Sequence, residues 1–66
     1  MPSTFNEWLE WYDEHAEDIP CEILDRCDEL LGITSSNTRI PEGYYVEAAA
    51  RYYSQLHNVP LNTIER

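Results

Sequence analysis

The chain has 66 residues, with 13 Asp or Glu against four Arg and no Lys, for a formal net charge of −9. A chain this short buries only about 60% of its unfolded surface, which excludes a doubly wound sheet, a barrel or a walled cofactor pocket. The charge excludes the basic footprint of a nucleic-acid-binding domain, so nucleic acid is not an expected ligand. Eight aromatics and a hydrophobic fraction of 42% separate the chain from a disordered acidic tail. One helical domain over residues 1–66 is expected, with no run of the ~20 apolar residues that a membrane span needs. No basic stretch followed by an apolar one opens the chain, and two cysteines are too few for a disulfide scaffold. A reducing, cytoplasmic setting is therefore expected.

The first helix is predicted from Phe5 to Glu17. Thr4-Phe5-Asn6-Glu7 reads as a capping box, with Thr4 as N-cap and Glu7 three residues into the first turn. Phe5, Trp8, Leu9, Tyr12, Ala16 and Ile19 form an apolar stripe covering about 100° of arc. Glu7, Glu10, Asp13, Glu14, Glu17 and Asp18 all lie outside it. A second helix is predicted from Pro20, which suits a first helical position, to Gly32, a natural C-terminal stop. Its apolar face is Ile23, Leu24, Cys27, Leu30 and Leu31; its acidic face is Glu22, Asp25, Asp28 and Glu29. The short link around Asp18-Ile19 predicts that these two helices pack as antiparallel neighbours.

Ile33 to Ile40 reads as a polar loop. A third helix is predicted from Pro41 or Glu42 to His57, with Tyr45, Val46, Ala49, Tyr52, Tyr53 and Leu56 facing the core. Glu47, Arg51, Ser54 and Gln55 are expected to face water, and Tyr44 falls opposite the core face. Pro60 to Glu65 can form a short fourth helix. The expected fold is all-α: a small bundle of three helices plus a short C-terminal one. A homodimer is one way to complete so small a core, and an oligomeric structural subunit of a larger assembly is an alternative expectation.

Charge is unevenly distributed. Residues 1–30 hold ten acids and one Arg; residues 31–66 hold three acids and three Arg, so the whole net charge sits in the first half. Glu7, Glu10, Glu14 and Glu17 recur at helical spacing, roughly 5 Å apart along the axis. Glu22, Asp25 and Glu29 repeat the pattern in the second helix. Like charges four apart cost roughly 0.2–0.5 kcal/mol each, and within these two helices only Glu22–Arg26 is a favourable pair at that spacing. Two rows of carboxylates resemble a phosphate array, which carries one charge per ~1.7 Å of duplex axis. A docking surface for a basic protein is expected, built from Glu7, Glu10, Trp11, Glu14, Glu17, Glu22, Asp25 and Glu29. An acidic face that merely solvates the fold is the competing expectation.

No catalytic or metal-binding motif is found. His15 and His57 belong to neither HExxH nor ExxH, and the acids lie in helices rather than in a calcium loop of about twelve residues. No cofactor is expected. Cys21 and Cys27 point roughly 120° apart on one helix and cannot bridge each other. Trp11, beyond the edge of the apolar stripe, suits an interface anchor or partial burial.

Glu47-Ala48-Ala49-Ala50-Arg51-Tyr52-Tyr53 followed by Asn58-Val59-Pro60-Leu61-Asn62-Thr63-Ile64-Glu65-Arg66 resembles a helix-turn-helix segment over about twenty residues. Asn58 stands where that family has its turn glycine, and His57 where it has an apolar residue. The resemblance implies a DNA-binding regulator acting as a dimer through Arg51 and Arg66; its second helix would be only about two turns long. Chains of this size and charge without catalytic motifs also resemble accessory and inhibitor proteins of bacteriophage and mobile elements. That likeness implies a non-enzymatic protein binding a basic partner, and a possible DNA mimic.

Overall fold

A computed structural model describes residues 2–64. Three helices follow one another: α1 (Phe5–His15), α2 (Cys21–Leu31) and α3 (Glu42–His57). A single 3-10 turn, Leu61–Thr63, follows them. The described residues contain no strand, and the loop between α2 and α3 closes on itself through paired backbone hydrogen bonds of Thr34 and Asn37. The all-helical bundle expected from the sequence is present, with its fourth helix reduced to one 3-10 turn. The second helix of a helix-turn-helix is accordingly not formed by residues 61–64, and Glu65 and Arg66 lie outside the described residues.

Local chemistry explains the helix ends. The Thr4 hydroxyl accepts the Glu7 backbone N–H at 3.2 Å, as a capping box requires. The Glu7 carboxylate reaches one residue further back than expected and accepts the Ser3 N–H at 3.1 Å. Pro20, Pro41 and Pro60 each stand immediately before a helical element, with ψ between 133° and 155°. Proline lacks an N–H, loses nothing there, and bars the preceding residue from the helical region. Pro20 is thus the N-cap of α2 rather than its first residue, and α1 ends at His15 rather than Glu17. Gly32 and Asn58 close α2 and α3 in the left-handed conformation, at φ 71° and 52°. Each lets two successive N–H groups bond one carbonyl in the last turn, Asp28 for Gly32 and Ile33, Ser54 for Asn58 and Val59.

The expected α1–α2 pairing does not occur. Both 11-residue helices pack on the 16-residue α3 and not on each other. The reason lies in Ala48, Ala49 and Ala50, all fully buried. Three consecutive helical residues span about 200° of arc, so α3 is covered on two sides at once. Alanine leaves room for a helix to approach each side closely. One side carries Val46, Ala49 and Ala50 against Trp8 and Ile64. The other carries Tyr44 and Ala48 against Ile19, Ile23 and Cys27.

This two-sided burial corrects several expected faces. Tyr44, expected opposite the core, is buried against α2, where the Asp28 carboxylate acts on its hydroxyl. Glu47 and Arg51, expected in water, form a part-buried ion pair at 3.0 Å. Arg26 pairs with Glu29 at 3.4 Å rather than with Glu22. Phe5, Leu30, Leu31 and Leu56, expected in the core, remain 38–50% exposed, because each sits near a helix end that no neighbouring element covers.

Two predictions follow from this packing. Ala49→Leu inserts a branched side chain between α1 and α3 and should destabilise by about 1–3 kcal/mol. Its urea midpoint should fall clearly below that of Gln55→Ala, an exposed control; equal midpoints would contradict the clamp. Burial first, and then the Asp28 carboxylate, push the Tyr44 hydroxyl up to about 12 from its ordinary 10.0. The folded value lies above the unfolded one, so this contribution is complete below about pH 10 and is lost as pH rises toward 12. Tyr12, also raised by burial and by Tyr45, acts in the same direction. Tyr44→Phe should flatten the fall in urea midpoint between pH 10 and 12 without removing it. An unchanged slope would show that Tyr44 is not held in this way.

Candidate functional site

The acids of α1 fall where its spacing requires. At 100° per residue, Glu7, Glu10, Trp11 and Glu14 lie within about 100° of arc, beside the seam that meets α3. With Pro2 they line one open groove of about 320 Å³. All three carboxylates are exposed, and none has an ion-pair partner among the described residues. Glu7 also caps the helix, so its side chain is held in place by the Ser3 N–H.

Trp11 joins this acidic row to an aromatic band. The His15 ring stacks on its indole at 4.0 Å and 18°. His15 Nδ1–H donates to the Trp11 carbonyl at 2.9 Å, which fixes both the ring and its tautomer. Trp8, Tyr52 and Tyr53 approach the same indole at centroid distances of 5.7–6.1 Å. His57 extends the band by packing on Tyr53 at 4.2 Å. Such ring pairs add about 0.5–1.5 kcal/mol beyond the area they bury. Trp11 is therefore half-buried by α1 and α3, and its neighbouring rings hold it at the groove wall.

The other residues expected in the docking surface are not in this groove. Glu17 is exposed in the turn after α1. Glu22 lines a separate groove with Ile23, Arg26, Arg51 and Leu61. Asp25 is exposed on α2, and Glu29 is ion-paired with Arg26. Because α1 and α2 pack on different sides of α3, their carboxylates do not form the pair of adjacent rows expected from antiparallel neighbours. Glu47 is engaged inside the fold, with Arg51.

Tyr52 and Tyr53, expected in the core, and His15 and His57, expected in no site, are parts of the Trp11 surface. Their four-residue spacings, Trp11–His15 and Tyr53–His57, were the available signal, since residues four apart on a helix lie together. Burial pushes the Cys27 thiol up, which keeps it protonated and unreactive in the core. Cys21 is exposed, and both cysteines are free. No group of three or more His, Cys, Asp or Glu side chains among the described residues could hold a metal ion. None of the described helices is long and apolar enough to cross a membrane.

The two tryptophans should be separable by solvent access. Trp8 is fully buried and Trp11 half-buried. In Trp8→Phe the remaining Trp11 emission should be strongly quenched by acrylamide, while in Trp11→Phe the remaining Trp8 should be protected. Equal quenching would contradict the placement of Trp11 at the groove wall. No protein-family model matches the chain, and no curated protein and no solved structure matches it either.

Proposed function

We propose that this chain is a non-enzymatic docking protein that binds a basic partner protein through α1. Glu7, Glu10 and Glu14 steer the encounter by long-range attraction, and Trp11 supplies the held contact. The observation that carries this reading is the convergence of these four residues on one open groove. Unpaired carboxylates beside a rigid aromatic combine an electrostatic approach with an anchor that loses little freedom on binding.

Where that partner binds nucleic acid, Glu7, Glu10 and Glu14 occupy sites that otherwise hold phosphates. The exposed acids Glu17, Glu22, Asp25 and Glu29 add to the attracting field without belonging to the groove. Arg26, paired with Glu29, weakens the contribution of α2. The same reading puts the protein in a reducing cytoplasm, where Cys21 and Cys27 stay thiols. Accessory proteins of bacteriophage and mobile elements are the class it suits.

The test is capture from host lysate across a salt series, with two triple variants beside the parent. Glu7→Gln with Glu10→Gln and Glu14→Gln should lose a salt-sensitive partner; glutamine at position 7 keeps a capping side chain. Glu22→Gln with Asp25→Asn and Glu29→Gln should keep most of it. Equal capture by the parent and the first variant would overturn the proposal and leave the acids a solvating role.

A further inference from the structure

A second groove lies on the opposite flank of α1. Phe5, Asn6, Leu9, Tyr12 and Asp13 line it from α1, and Glu42 and Tyr45 from the start of α3. Its volume, about 630 Å³, is about twice that of the acidic groove. Around the helix the two sets of α1 residues centre about 145° apart, so one α1–α3 seam is flanked by two different surfaces.

The chemistry of this second groove is mixed in a specific way. Phe5, Leu9, Tyr12 and Tyr45 give it an apolar floor, and Phe5 stays 40% exposed. The Tyr12 and Tyr45 rings meet at 61° with centroids 5.0 Å apart, which makes an aromatic corner. Asp13 and Glu42 add two exposed carboxylates, one from each helix. Neither has an ion-pair partner among the described residues. An apolar floor would accept a hydrocarbon stem, an aromatic corner a cation, and flanking carboxylates its charge.

We propose that this groove receives an arginine side chain of the basic partner. The arginine methylenes lie along Leu9 and Phe5, the guanidinium rests in the Tyr12–Tyr45 corner, and Asp13 and Glu42 accept its hydrogen bonds. Arginine suits the corner because its planar, weakly hydrated cation stacks on rings and donates outward at the same time. Charge complementarity selects this occupant over an apolar one: a purely hydrophobic side chain would leave both carboxylates partly desolvated and unpaired. The proposal rests on the basic partner inferred above but uses a different face of α1, so the two can fail separately.

The test uses the full chain and two capped tripeptides, glycyl-arginyl-glycine and its norleucine counterpart, followed by NMR of the aromatic side chains. The arginine peptide should shift the Tyr12, Tyr45 and Phe5 ring signals in a saturable manner, and the norleucine peptide should not. Glu42→Gln and Asp13→Asn, both at exposed positions, should each weaken this binding by about threefold. Their urea midpoints should stay near the parent value. Shifts confined to the Trp11 indole would overturn this inference while leaving the acidic groove of the proposed function intact. Shifts at neither groove would count against both. Equal response to the norleucine peptide would show a general apolar cleft and overturn the arginine assignment. Concentration-dependent shifts of Phe5 and Tyr45 without peptide would assign the groove to a second copy of the chain, and so overturn it as well.

Discussion

Everything else in this molecule depends on the close approach of two helices to a third at Ala48–Ala50. Three small residues in succession leave no flat apolar stripe on α3; they leave a cylinder that is narrow on two sides. A small domain has little core to spare, and this arrangement uses the central helix twice. Trp8 fills one side and Ile23 with Cys27 the other. The cost is that α1 and α2 each have one partner rather than two, which leaves their outer faces and ends in water.

That allocation accounts for the surface. With α1 docked by one seam only, both of its flanks become grooves with α3 or with the N-terminal residues as the opposite wall. One flank is lined by three glutamates and Trp11. The other is lined by rings, with a carboxylate from each helix. The acidic half of the chain is thus not one uniform face. Some of its acids serve the fold, as Glu7 does in capping α1. Others, such as Glu10 and Glu14, have no counter-charge among the described residues, and these are the ones that stand beside an aromatic. Like charges at helical spacing oppose helix formation, so the unpaired ones are where a binding role has most to explain.

The aromatic band gives the site its rigidity. Trp11, His15, Tyr52 and Tyr53 constrain one another across the α1–α3 seam, and His15 is tied back to the Trp11 carbonyl. A docking surface on such a base presents its side chains already ordered, which reduces what association must immobilise.

The sequence by itself determined the helices and most of their ends. Thr4 and Glu7, the three prolines, Gly32 and Asn58 act through bonds to near neighbours in the chain, and such bonds can be read locally. It also determined that Glu7, Glu10 and Glu14 share one flank of α1 and Asp13 does not, because their spacing alone sets their angle on one helix. What it could not determine was which helix stands in the middle. A stripe is visible in a sequence when a helix is buried on one side; Tyr44 and Ala48 broke the stripe of α3 because their side faces α2. The same choice separated the acids of α2 from those of α1 and brought Tyr52 and Tyr53 to Trp11. It also set Tyr45 and Glu42 opposite Tyr12 and Asp13. Those contacts join residues about 30 to 40 positions apart, and only the packing of α1 and α2 on opposite sides of the alanines decides them.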